Sequence, residues 1–275
     1  MKRTLILLFI GLAGCTSRQT IKERTPTAND VTTTSESSLR LGLILFDLSE
    51  QSINAQSLQA EGTITLKEVG SSQSGSFDLK SKRLVDGKSI DSLSMVISGP
   101  FGITAAKFLG CPGEYCFYNA LEGESYRGKP DPKALEQLTG MKGLTIEALN
   151  NVLFGLAPNA IILQDGEKPL LQTLSSDEYL MYIRRNGYTE TFSLRTKSTP
   201  IVLTRYQRWN KPIELADIHS VTPDLIINYE GKYSSEHFRL PNFIKIQSRQ
   251  KALEIEYTNA TQNPKQLIVK IKMPE

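Results

Sequence analysis

Leu58-Gln59-Ala60-Glu61-Gly62-Thr63-Ile64-Thr65-Leu66 alternates small or apolar residues with polar ones from end to end. A period of two belongs to a strand with one face buried and the other in water. The same rhythm returns in Phe77 and Leu79, set between Ser76, Asp78 and Lys80, and then in Leu93, Met95 and Ile97. Tyr115 to Leu121 and Gly123 to Arg127 continue it after the Pro112-Gly113 turn. Near the C-terminus Leu253, Ile255 and Tyr257 alternate with Glu254 and Glu256, and Leu267, Val269 and Ile271 with Ile268, Lys270 and Lys272. Sheet dominates the chain.

Helical spacing interrupts these strands. Asp131 is a suitable N-cap before Pro132; Leu135 and Leu138 share a face, and Gly140 is a stop signal. Thr145 can cap a second helix lined on one side by Leu149, Val152, Leu153 and Leu156, with Pro158 beyond its end. Leu39 to Ser52, apolar and free of proline, predicts a third. Strands, a helical insertion and more strands suit a mainly β (α+β) architecture, an antiparallel sheet curled around helices packed on its concave face.

The N-terminus is different in kind. Met1-Lys2-Arg3, the apolar run Leu5 to Leu12 and Leu12-Ala13-Gly14-Cys15 form a secretory signal followed by a lipobox-like cysteine. A membrane-spanning helix needs roughly 20 apolar residues, far more than this run has. Residues 1–14 are read as a lipoprotein signal peptide, Cys15 as the lipidated residue, and 15–38, rich in Ser and Thr, as a tether of about 25 Å r.m.s. length. Residues 39–275 form one domain. The expected location is the bacterial envelope, held by a lipid anchor, and Thr16 rather than Asp after the cysteine is compatible with the periplasmic face of the outer membrane.

Removing Lys2 and Arg3 from 32 basic residues leaves 30 against 29 acidic ones, a net charge of +1. That balance gives no pull toward nucleic acid and no polybasic membrane patch. Cys111 and Cys116 flank the Pro112-Gly113 turn, so either a disulfide across two strands or two thiols fits an oxidising compartment. With only His219 and His237 available, no four-ligand zinc set exists. No Gly-x-Ser-x-Gly elbow and no phosphate-binding loop occur. No enzyme and no cofactor are expected, and Trp209 is read as a loop residue covering the core.

Ser98-Gly99-Pro100-Phe101-Gly102, Pro112-Gly113, Glu122-Gly123-Glu124-Ser125-Tyr126, Leu138-Thr139-Gly140-Met141 and Phe154-Gly155-Leu156-Ala157-Pro158 follow one another in that order. This series resembles LolB, the outer-membrane receptor that accepts lipoproteins from a periplasmic carrier. Leu240 to Ile246 and Leu253 to Tyr257 agree with it too. The likeness covers Leu58 to about Ala160 well and Leu225 to Tyr257 moderately, whereas Tyr179 to Leu215 exceeds the family pattern and predicts extra strands. The resemblance implies an incomplete antiparallel β-barrel, a half-barrel with helices covering its concave face and an apolar cavity between them, with acylated lipoprotein cargo, a LolA-like carrier as partner, and attachment to the membrane through the lipid anchor.

Two sets of residues then become candidates. Gly99, Pro100, Phe101 and Gly102 form a tight turn whose Phe101 is either an exposed membrane- or cargo-contacting tip or a lid folded over the barrel edge. The family has an exposed leucine at the matching place. Ile64, Leu66, Phe77, Leu79, Met95, Ile97, Leu138, Leu149, Val152 and Leu153 are the expected cavity lining. Packed as a dry core, the same residues would only hold the fold, and both outcomes share one sequence pattern. The rival function is a lipid-anchored binding or assembly module for a peptide, glycolipid or protein.

Overall fold

The computed structural model describes residues 35–85, 88–111, 113–129, 134–139, 141, 144–159, 161, 163, 167–197, 200–234, 236–270 and 273. Cys15 and the signal and tether residues before Ser35 lie outside these, as do the turn signals at Asp131, Pro132 and Gly140. Helix α1 runs from Ser35 to Asn54. It starts inside the stretch expected as tether.

Thirteen strands form a single sheet in which every pairing is antiparallel. They are β1 (Ser57–Glu68), β2 (Ser71–Val85), β3 (Lys88–Ser98), β4 (Thr104–Cys111), β5 (Glu114–Asn119), β6 (Glu124–Gly128), β7 (Leu170–Thr173), β8 (Glu178–Arg185), β9 (Tyr188–Arg195), β10 (Val202–Trp209), β11 (Leu225–Ser234), β12 (Leu240–Ser248) and β13 (Lys251–Gln262). The spatial order is β6-β5-β4-β3-β2-β1-β13-β12-β11-β10-β9-β8-β7. It is the sequence order wrapped around a circle, closed between β1 and β13 and left open between β6 and β7. At that opening the chain makes no hairpin. It inserts α2 (Ala134–Thr139) and α3 (Ile146–Leu153) instead.

β1 and β13 meet from opposite ends of the chain, with Ile64 opposite Ile255 and Leu66 opposite Leu253. Gly62 marks a bulge in this pairing, where a Cβ would fall 2.0 Å from the Glu256 carbonyl oxygen, so no larger residue fits. Asn263 fastens the seam: its side-chain oxygen accepts from the Gln56 and Ser57 amides at 3.1 and 2.9 Å, and its amide donates to the Asn54 carbonyl at 2.8 Å. With both neighbours of β13 already paired, residues 264–270 add no strand. The alternation expected at Leu267 to Lys272 is therefore not a strand over its described part, although Leu267 is buried.

The helices lie on one face of the sheet. Thr145 caps α3, its hydroxyl accepting from the Ala148 amide at 3.0 Å. Gly155 ends it at φ 75°, its amide donating to Val152 and that of Leu156 to Asn151, the paired bonds of a Schellman motif. From β2, the Ser81 hydroxyl bonds Asn150 at 2.5 Å. Two residues along, buried Arg83 donates to Asn151 at 2.8 Å and to the Ser52 and Ala55 carbonyls at the end of α1, at 3.0 and 2.8 Å. One guanidinium thus holds sheet, α1 and α3 together.

Three strands, β8 to β10, occupy the stretch expected to carry extra sheet. Their outer face has a small core of its own, Leu180, Tyr182, Trp209, Ile213 and Ile218, beneath the 210–221 segment. Trp209 is a fully buried strand-end residue rather than a loop residue, its indole N–H donating to the Val221 carbonyl at 2.8 Å. Arg83→Met should lower unfolding free energy by about 3 kcal/mol, because four acceptors, the Ser52 hydroxyl among them, lose a charged donor. Arg83→Lys should recover only part of it, lacking the planar fork. Urea unfolding monitored by circular dichroism checks both.

Candidate functional site

Antiparallel connections alternate between the two ends of the sheet, so the β1–β2, β3–β4 and β5–β6 turns share one end. Each carries an exposed apolar side chain: Val69, then Phe101 with Ile103, then Leu121. The β3–β4 turn is built by Gly99, whose amide donates to the Ile103 carbonyl at 2.8 Å, by Pro100 and by Gly102 at φ 73°. Phe101 sits between them at φ 62° and is fully exposed, not folded over the barrel edge. A bulky residue in the left-handed region costs about 1–2 kcal/mol that glycine would not incur.

The residues expected to line a cavity form packed core instead. Ile64, Phe77, Leu79, Met95, Leu149, Val152 and Leu153 are buried in one cluster, with Leu66 and Ile97 half-buried against it. Leu138 falls in α2, with its side chain outside the described ones. Phe77 meets Tyr257 edge-on at 5.9 Å, and the Tyr257 hydroxyl donates to the Leu153 carbonyl at 2.7 Å, closing the space between sheet and α3. Inner-face strand positions and α3 are complementary, so they interlock where a lipid-sized hole was one of two expectations.

A cleft of about 210 Å³ does exist, elsewhere. It lies between α1, the segment after α3 and the starts or ends of β10 to β12 at the end of the sheet opposite Phe101. Leu45, Leu48, Leu156, Ile161 and Leu203 give it apolar walls, and Arg83, Asn151 and Arg239 a polar end. Its size is below the roughly 300–1,000 Å³ of usual small-molecule sites. α1 forms its roof, fixed to the sheet where Asp47 accepts from the Ile201 amide at 2.6 Å and Gln51 donates to the Ile201 carbonyl at 2.8 Å.

Beside this cleft lies a buried ionic cluster. Glu190 is fully buried and accepts from Arg185 at 2.7 Å, Tyr206 at 2.6 Å and the cleft residue Asn159 at 3.1 Å; Arg185 also pairs with Glu167 at 2.9 Å. Burial first, then the Glu190 charge, pushes the Tyr206 phenol well above its ordinary range. It stays protonated and acts as a donor. The alternation Glu190, Phe192, Leu194 places this glutamate on the core face and is the signal in the sequence that could have found it.

Cys111 and Cys116 are free thiols. Across the β4–β5 turn Cys111 faces Glu114 while Cys116 faces Leu109, so the two stand diagonally, two positions out of register, rather than opposite each other. His219 and His237 are both exposed. Among the described residues no group of three or more potential metal ligands gathers, and no helix is long and apolar enough to cross a membrane.

The sequence matches no family model, and no curated protein matches it. Solved structures do. A DUF1329 family protein from Desulfovibrio piger ATCC 29098 is similar at TM-score 0.57 with 14% identity, over 84% of this chain and 94% of the other. A putative outer membrane lipoprotein-sorting protein domain from Vibrio parahaemolyticus is similar at TM-score 0.51 with 11% identity, over 81% and 92%. A LolA superfamily protein from Nitrosomonas europaea aligns more loosely, at TM-score 0.47 with 11% identity over 80% and 92%, and nothing rests on it. The open antiparallel sheet with its helices on one face is the fold this chain shares with the DUF1329 protein and the lipoprotein-sorting domain.

Proposed function

We propose that this chain is a lipid-anchored protein of the bacterial outer membrane, facing the periplasm, that takes part in lipoprotein sorting by binding acyl chains. The observation that carries the reading is Phe101: an aromatic tip wholly in water, held at a positive φ where glycine would be cheaper, on this fold. Burying such a side chain in hydrocarbon, whether cargo or bilayer, gains about 1.5–3 kcal/mol. Val69, Ile103 and Leu121 extend the same apolar rim.

The partners are an acylated lipoprotein and a LolA-like periplasmic carrier, with Cys15 as the anchor. An acyl chain of ordinary length is worth on the order of 12 kcal/mol wherever it is buried, at about 0.8 kcal/mol per methylene. Hand-over between two apolar sites therefore runs without nucleotide. The cleft under α1, at the end of the sheet opposite Phe101, is where hydrocarbon is held before release. The packed interior between β1–β4 and α3 favours the second reading, a binding or assembly module that holds a partner and transfers nothing.

Transfer of labelled triacylated lipoprotein from a loaded carrier to this protein separates the two readings. Transfer is expected; no transfer to a folded chain supports the module. Phe101→Gly should relieve backbone strain, raising stability by up to about 1 kcal/mol, and yet slow transfer severalfold. Phe101→Glu should abolish transfer with the fold intact. Ala157→Trp, which fills the cleft, should block retention of the label while leaving the Phe101 rim unchanged.

A further inference from the structure

Helix α1 is apolar on two opposite faces. Leu41, Ile44, Leu45 and Leu48 turn toward the sheet and are buried or half-buried. On the other side Leu39, Leu43 and Phe46 are 66–73% exposed and Ile53 53%. These four follow at intervals of four, three and seven residues, one straight stripe about 21 Å long at 1.5 Å per residue. Glu50 is the single charge on the stripe; Gly42 and Ser49 flank it on one side, and on the other Asp47 and Arg40, which bond Ile201 and Tyr179 of the sheet side. Such a face meets a plane of hydrocarbon. A protein partner would ask for about one hydrogen bond per 100–200 Å², and the stripe supplies almost no groups to make them.

The position of α1 fits the same occupant. Its C-terminal end is held by Arg83 beside β2, its middle by Ile201 before β10, and Arg40 bonds Tyr179 at the start of β8. α1 therefore crosses the strands at the end of the sheet opposite the Phe101 turn. Six strand spacings of about 4.8 Å separate β1 from β8, about 29 Å, which matches the roughly 30 Å of a 20-residue helix. The 20 residues from Cys15 to Thr34 end at the first turn of α1, and whatever their conformation they span no more than about 70 Å.

We infer that the outward stripe of α1, Leu39, Leu43, Phe46 and Ile53, lies flat on the lipid bilayer that holds the anchor. This rests on the Cys15 anchoring of the proposed function and adds an orientation to it. The cleft roofed by α1 opens beside the membrane. The Phe101 rim stands about 30 Å away, one strand length, and faces incoming cargo. With one acidic and no basic residue on the stripe, binding through it does not depend on anionic lipid and varies little with salt.

Trp209 is fully buried, so a second tryptophan reports its own surroundings. The full acylated chain carrying Phe46→Trp, or separately Phe101→Trp, is reconstituted on phosphatidylethanolamine–phosphatidylglycerol vesicles containing brominated phosphatidylcholine, without cargo. Expected are blue-shifted, strongly quenched emission from Phe46→Trp, little quenching from Phe101→Trp, and loss of the Phe46→Trp quenching when Leu39→Glu and Leu43→Glu are added. Quenching of Phe101→Trp alone, or of neither, overturns the inference. So does a blue shift of Phe46→Trp that grows with protein concentration in the absence of vesicles, which would mean a second copy covers the stripe. A chain that transfers lipoprotein with Phe46→Trp unquenched refutes only this orientation; quenching without transfer refutes only the proposed function.

Discussion

The Arg83 guanidinium is the point on which the two halves of the molecule depend. A sheet open at one place must cover its inner face with helices, and separate helices have no reason to settle in one arrangement. Arg83 gives them one. It reaches from β2 to the last carbonyls of α1 and to Asn151 in α3, so a single side chain fixes both covers against the same strand. Its plane also lies over the Phe154 ring at 5.5 Å, which keeps the charge in contact with polarizable surface. Helix C-termini favour a cation, so the α1 carbonyls it meets are good partners for it.

The break between β6 and β7 explains why helices, cleft and core lie where they do. The other neighbours in the sheet are reached by short turns, by the 210–224 segment between β10 and β11, or by the β1–β13 seam between chain ends. The passage from one open edge to the other is the longest connection, and the chain uses it to lay α2 and α3 over the inner face. α1 arrives from the N-terminal side and covers what remains. Two covers that come from different parts of the chain leave a joint between them. The cleft is that joint, with Arg83 and Asn151 at its polar end.

Much of this was legible in the sequence. Period-two alternation marks β1, β2, β3, β5 and β13 because one face of each is wet, and Thr145 caps α3 as its sequence indicates, although the helix ends at Leu153 with Gly155 rather than running on through Leu156 to Pro158. The Gly-Pro-Phe-Gly turn is a local device as well. What was not legible depends on pairing across the chain. Leu267 to Lys272 alternates like a strand, yet β13 has no open edge to offer it. Cys111 and Cys116 flank a turn, yet a two-residue connection sets Cys111 against Glu114. Whether Leu79 and Val152 enclose a hole or touch is a matter of shape between elements, and alternation carries no information about shape.

That packing decides which cover of the sheet is the more firmly held. α3 is bound to the sheet by the Ser81–Asn150 and Tyr257–Leu153 bonds, by its Schellman cap against Pro241, and by a core of side chains in close contact. Opening that region would break all of these together and uncover the core that α3 closes. α1 is held differently, by Arg83 at one end, Ile201 in the middle and Tyr179 beyond. It is also apolar on its outer side, so rolling it away from the sheet replaces one apolar face by another instead of burying charge. On the proposed function, room for an acyl chain would open at the α1 end, next to the cleft that already exists there.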